Sequence, residues 1–98
     1  MFTYRLCAKV WLYPGPGGWH FVTFPNQQSA EIKARFDSIK RGWGSLRVVA
    51  TIGKTTWETS IFPDRQSDAY LLPLKADVRT REGVGVGDAI SFTVEIKT

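Results

Sequence analysis

From Phe2 to Leu12 apolar and polar side chains alternate almost without interruption, with Phe2, Tyr4, Leu6, Ala8, Val10 and Leu12 on one face and Thr3, Arg5, Cys7, Lys9 and Trp11 on the other. Successive side chains of an extended backbone point to opposite sides, so a period of two held over this length specifies a half-buried β-strand and commits the chain to a sheet. The run Tyr13-Pro14-Gly15-Pro16-Gly17-Gly18 stops that strand, because proline cannot donate to a ladder and glycine accepts positive φ. Residues 19–24 are predicted to return as a second strand beside the first.

The period then changes. Ile32, Phe36 and Ile39 recur at i, i+4 and i+7, with Ala30 and Ala34 near that face and Glu31, Lys33, Arg35 and Asp37 largely elsewhere. This predicts an amphipathic helix over 27–40, lying across one side or end of the sheet. Asn26 or Ser29 is placed to cap it, and Gly42 to stop it after Lys40 and Arg41, whose charges suit the negative end of the helix dipole. Alternation resumes with Leu46, Val48, Ala50 and Ile52, turns at Gly53-Lys54, and continues as Trp57, Thr59 and Ile61 against Glu58, Ser60 and Phe62. That is a hairpin, and because Val49 and Phe62 are apolar too, both of its faces are expected to be covered, as in a small closed barrel flanked by a helix.

A polar loop at 63–68 leads into a short strand from Tyr70 and a short helix near 75–82, where Leu74 and Val78 are spaced i, i+4. Gly83, Gly85 and Gly87 with Asp88 form the next turn, and Ile90, Phe92, Val94 and Ile96 alternate in a closing strand. No internal repeat is obvious. The pattern is that of a mostly β protein: a small closed or pseudo β-barrel with one longer helix at 27–40 and a short one near 75–82. With 98 residues, 43% of them hydrophobic, residues 1–98 form a single domain, because halves of that size would bury too little to offset the entropy of ordering them.

Several chemistries lack their residues. Cys7 is the only cysteine, which rules out an internal disulfide and leaves a metal site without a second sulfur. The glycines at 15, 17 and 18 follow a strand, but Trp19-His20-Phe21-Val22-Thr23-Phe24 reads as another strand, so no helix N-terminus is there to receive a phosphate. No cofactor or metal is expected. The N-terminus has no secretory pattern and no apolar run spans a membrane, which makes a cytoplasmic protein the expectation, as a monomer or a homodimer. The net charge is +4, with six basic and two acidic residues between 30 and 54. Such a bias can attract an anion or nucleic acid, although a solvated surface of mixed sign accounts for it equally.

No catalytic set stands out. Cys7 and His20 sit in neighbouring predicted strands among structural neighbours and are expected to be an inert thiol and a structural imidazole. Ser60 lies in no nucleophile elbow. Asp64, Asp68, Asp77 and Asp88 stand where carboxylates accept backbone N–H bonds, and Glu58, although mid-strand beside Trp57, fits a solvated strand face. The most site-like group is Trp57, Ser60, Phe62, Tyr70, Lys75 and Arg79, together with Thr59. Aromatic walls with hydroxyls and two cations suit a small anionic or planar ligand, while core packing of the rings is the plainer explanation. Lys75 and Arg79, four residues apart, can project from one helix face, or Arg79 can pair with Asp77, Asp88 or Glu58. The functional expectation is therefore a non-enzymatic binding or accessory module for such a ligand or for a protein partner. Nucleic-acid binding and an enzyme of unrecognised type are the alternatives.

Four motifs carry a resemblance: Gly18-Trp19-His20-Phe21-Val22-x-x-Pro25, Gly42-Trp43-Gly44, Trp57-x-Thr59-Ser60-Ile61-Phe62-Pro63, and Tyr70-x-Leu72-Pro73-x-Lys75-x-x-Val78-Arg79 with Gly87-Asp88. Together they resemble the bacterial and archaeal family known as domain of unknown function 1905. The resemblance implies a double-split or pseudo-barrel fold across nearly the whole chain and brings no assigned chemistry; some members are fused to a second domain associated with bacteriocin protection. Leu72-Pro73-Leu74-Lys75-x-x-Val78-Arg79 through Gly87-Asp88-x-Ile90 is also similar to swapped-hairpin transcription factors and antitoxins, which bind DNA as intertwined dimers of shorter chains. Here an extra residue separates Pro73 from Lys75, and the chain is long enough to fill a barrel alone.

Overall fold

The computed structural model of the chain describes residues 2–40 and 44–97. The predicted stop at Gly42 and the Trp43 motif lie outside them. Six strands, β1 (Phe2–Leu12), β2 (His20–Thr23), β3 (Leu46–Ile52), β4 (Thr55–Asp64), β5 (Ala69–Pro73) and β6 (Ala89–Ile96), form a closed barrel in the order β1-β2-β5-β4-β3-β6. Every pairing is antiparallel. Closure leaves no sheet edge open among these strands, which removes the usual template for edge-to-edge aggregation.

The two longest strands turn the corners. β1 pairs with β6 through Phe2–Lys9 and with β2 through Val10–Leu12. β4 pairs with β3 through Thr55–Ile61 and with β5 through Phe62–Asp64. Along β3 the alternation is obeyed throughout, with Leu46, Val48, Ala50 and Ile52 buried. They meet Trp57 and Ile61 from β4, and Ile90, Phe92, Val94 and Ile96 from β6, inside one core. Along β1 only Leu6 and Val10 are fully buried, while Phe2 and Leu12 are exposed where the strand runs past each end of the barrel. Phe62, expected to be covered, lies on the outer face and is 38% exposed.

Two helices complete the fold. α1 (Asn26–Phe36) continues as a 3-10 turn over Asp37–Ile39, so the predicted helix loosens three residues before its expected end. Its buried side chains are Ser29, Ile32 and Phe36, whereas Ile39 is exposed. Neither Asn26 nor Ser29 caps it: the Asn26 amide donates to the Ser67 carbonyl at 2.8 Å, and Ser29 Oγ accepts the Tyr70 N–H at 3.1 Å. α2 (Ala76–Glu82) buries Val78 and ends on Gly83, whose φ of +63° permits the bonds from Gly83 and Val84 N–H back to Thr80 and Arg79 carbonyls.

The barrel repeats itself. β1-β2-α1-β3 and β4-β5-α2-β6 follow the same path, and exchanging them reproduces the circular strand order. Leu74 N–H donates to His20 O and Phe24 N–H to Tyr70 O, both at 2.9 Å, and a shift of 50 residues relates one bond to the other, donor to donor and acceptor to acceptor. Val22 and Leu72, also 50 apart, are direct partners on the β2–β5 ladder and fully buried. A pseudo-twofold axis therefore passes between them.

Candidate functional site

On the flank of the barrel, the β1–β2 turn, the middle of β4 and the start of α2 enclose a cleft of about 340 Å³, within the range of small-molecule sites. Gly17 and Gly18, with φ of +99° and +65°, bend the turn so that Trp19 lies back over it; a Cβ at Gly17 would meet the Trp19 ring at 3.0 Å. His20, the first residue of β2, then points its ring toward α2.

Three residues lock one another there. His20 Nδ1–H donates to the Gly18 carbonyl at 2.7 Å, which leaves Nε2 as an acceptor, and Arg79 Nη1 donates to it at 3.2 Å. Arg79 Nε donates to the Leu74 carbonyl at 3.1 Å, and the Leu74 N–H donates back to the His20 carbonyl at 2.9 Å. The guanidinium is thus positioned by neutral acceptors rather than by a carboxylate. The anticipated partners are engaged elsewhere: Asp77 with Arg81 at 3.5 Å, Asp88 with the Gly85 N–H at 2.8 Å, and Glu58 with Lys97 at 2.6 Å.

Lys75, the residue before α2, is exposed on the same cleft and makes no ion pair among the described residues. Glu58 also lines it, but the hydrogen bond and charge of Lys97 hold the Glu58 carboxyl below its ordinary range and offset its charge. What remains is a positive cleft, walled by Trp57, nearly buried at 9%, and by Trp19, 54% exposed. A planar anion could lie against the indoles while its charge meets the free donors of the Arg79 fork and the Lys75 ammonium.

Of the residues singled out from sequence, Trp57, Lys75 and Arg79 come together with Thr59. Ser60, Phe62 and Tyr70 do not. Ser60 Oγ accepts from Arg47 Nη1 at 3.1 Å on the outer face, where Phe62 also lies. Strand alternation separates both from Trp57. Tyr70 is buried beside Phe24, with ring centroids 6.4 Å apart, and burial holds its phenol above the usual range. Phe62 and Tyr70 both border a second cleft against α1, of mixed sign, where Lys40 pairs with Asp37 at 3.0 Å. His20 and Trp19 are the site residues the sequence reading left out; the Gly18-Trp19-His20 motif was their only signal. Cys7 is exposed opposite Ser91, whose Oγ lies 3.3 Å from its Sγ. It stands five residues along β1 from Leu12, the partner of His20, or about 17 Å, so thiol and imidazole do not meet.

Among the described residues no group of three or more His, Cys, Asp or Glu is placed to hold a metal ion, and no helix is long and apolar enough to cross a membrane. No curated protein matches the sequence. A family model does match, over residues 7–94, and with nearly all of the barrel inside that span the chain belongs to the family described as domain of unknown function (DUF1905).

Proposed function

We propose that this chain is a non-enzymatic binding module whose cleft between the β1–β2 turn, β4 and α2 takes a small planar anion, such as an aryl carboxylate or aryl phosphate. The observation that carries the reading is the Arg79 guanidinium, fixed in the cleft by the Leu74 carbonyl and His20 Nε2 and in no ion pair with a carboxylate among the described residues. A fixed, unneutralised fork on a helix is a prepared anion holder, and Lys75 adds a mobile charge beside it. Nucleic acid gains no comparable support, since Arg35 and Lys40 of the basic 30–54 stretch pair with Glu31 and Asp37.

Titration calorimetry against a panel of aryl carboxylates and aryl phosphates tests this. The wild-type protein is expected to bind members of the panel with a salt-dependent affinity. Arg79→Ala should weaken binding by about tenfold to a hundredfold, the worth of a charge-assisted bond, and Lys75→Ala by less. Both variants should melt close to wild type. A wild-type protein that binds none of the panel, together with an Arg79→Ala variant that melts several degrees lower, would leave Arg79 as a fastener of α2 and end the proposal.

A further inference from the structure

On the other side of Trp19 lies a separate surface. Trp11 and Phe21 are directly opposed on the β1–β2 ladder with ring centroids 5.3 Å apart; Trp19 stacks on Phe21 at 6.0 Å with 8° between planes, and Tyr13 meets Phe21 edge-on at 6.4 Å. These rings, with Asp64 at the end of β4 and Gln66 from the turn that follows, line a groove of about 370 Å³ on the outside of the barrel. Tyr13 and Trp19 are 47% and 54% exposed, although the sheet face beneath belongs to a protein that already has a complete core. Such a patch marks an interaction site rather than packing.

The groove is built rather than accidental. The Tyr13 ring lies over Gly15 and the Trp19 ring over Gly17, so closely that a Cβ at either glycine would overlap or crowd the ring. The Pro14–Gly18 turn thus sets the two most exposed rings in place before any partner arrives. Trp11 Nε1–H is satisfied by Thr23 Oγ1 at 2.9 Å, whereas Trp19 Nε1–H has no acceptor among the described residues. The one ionisable group bordering the groove other than Tyr13 is Asp64, whose Oδ2 accepts from Ser67 while Oδ1 has no partner among the described residues.

We propose that this groove docks a proline-rich segment of a partner protein carrying a basic residue beside the prolines. Polyproline II helices have no internal hydrogen bonds, so their carbonyls point outward to accept from a donor such as Trp19 Nε1–H, and their rings fill slots between aromatic side chains at low entropic cost. Asp64 supplies the charge that complements an adjacent Arg or Lys. A single-stranded nucleic acid would also stack on aromatic rings, but among the described residues no Lys or Arg lines this groove to meet its phosphates. A sugar would need several converging polar side chains, and among the described residues Asp64 and Gln66 are the two non-aromatic polar side chains that line the groove. The proposal is independent of the anion cleft, which shares only Trp19 with it.

The test follows the indole N–H signals in 15N-labelled protein as a blocked oligoproline peptide with arginine at one end or the other is added to about 1 mM, the range of weak peptide recognition. The Trp11 and Trp19 signals should shift and saturate. Tyr13→Ala should weaken binding about tenfold, as removal of an aromatic anchor does. Asp64→Asn, or arginine replaced by glutamine in the peptide, should weaken it about threefold, the worth of an exposed charge pair. Arg79→Ala should leave the peptide response unchanged while weakening the response to aryl anions about tenfold to a hundredfold, which separates the two sites. Absence of a shift with either peptide, a response that survives Tyr13→Ala, or a response to cello-oligosaccharides and oligonucleotides but not to oligoproline would each overturn the proposal. Because the peptide variant tests the charge without altering the protein, the outcome does not depend on any substitution folding.

Discussion

Replacing Ser29 by alanine should weaken the fold far more than a serine on an exposed helix would suggest. Ser29 is 3% exposed, and its Oγ accepts the backbone N–H of Tyr70 at 3.1 Å, where β5 begins and no strand neighbour takes that donor. The Tyr70 carbonyl already receives the Phe24 N–H at 2.9 Å, so the same residue anchors both the end of β2 and the first turn of α1. Removing Oγ leaves a buried donor with no acceptor, a loss of about 1–3 kcal/mol. Alanine returns about 0.5 kcal/mol through its better helix propensity. A net loss of about 0.5–2.5 kcal/mol remains, and for a domain of this size that lowers the melting temperature by about 2–20 °C. Urea unfolding followed by tryptophan fluorescence measures the free energy, and amide hydrogen exchange locates it: the Tyr70 N–H should exchange faster than in the wild-type protein. A stability within about 0.5 kcal/mol of wild type, with Tyr70 exchange unchanged, would refute the assignment of Ser29 as the essential acceptor.

Three further outcomes are expected. Burial raises the Tyr70 phenol above its ordinary value, so this group stabilises the fold fully below about pH 10, where the unfolded phenol begins to ionise, and loses that contribution as the pH climbs toward the folded value; Tyr70→Phe should flatten the fall in stability above that point in alkaline unfolding titrations. Gly53, with φ of +56°, sits where a Cβ would overlap the Glu82 carboxylate that accepts Thr55 Oγ1 at 2.6 Å, so Gly53→Ala should cost about 1–2 kcal/mol in denaturant unfolding. Lys97→Ala should raise the midpoint of Glu58 toward the ordinary carboxyl range in a carboxyl NMR titration, because the Lys97 hydrogen bond and charge hold it down; the native contribution is present above the unfolded midpoint and disappears as the pH falls through the folded one.

What could be read in advance depended on the reach of each interaction. β1, β3, β4 and β6 announce themselves by alternation because burial of one face is a local pattern, and α1 does so through Ile32 and Phe36; of the Leu74–Val78 pair that predicts the short helix, Val78 lies in α2 and Leu74 in the segment before it. Ser29 was read as a cap because caps are local, yet its partner is 41 residues away. His20 was read as structural because its neighbours in sequence are aromatic, while the group that matters to it, Arg79, lies 59 residues on. Ser60 and Phe62 are a different case. They sit on the opposite face of β4 from Trp57, as the period of two implies, and only chemical likeness groups them with it. The pseudo-twofold was hidden because the two halves keep roles rather than residues: His20 stands where Tyr70 does, and Ser29 where Arg79 does.

That last exchange bears on stoichiometry. In a barrel assembled from two identical half-length chains, each helix must carry the same side chain at this position, and any ligand site is made twice or not at all. Here one continuous chain frees the two positions to differ. Ser29 Oγ spends its bond on the backbone of β5, while Arg79, in the matching place on α2, holds its part-buried guanidinium on the Leu74 carbonyl and His20 Nε2. One half of the barrel anchors; on the proposed function the other recognises, and saturation at one anion equivalent per barrel is the outcome expected of that division of labour.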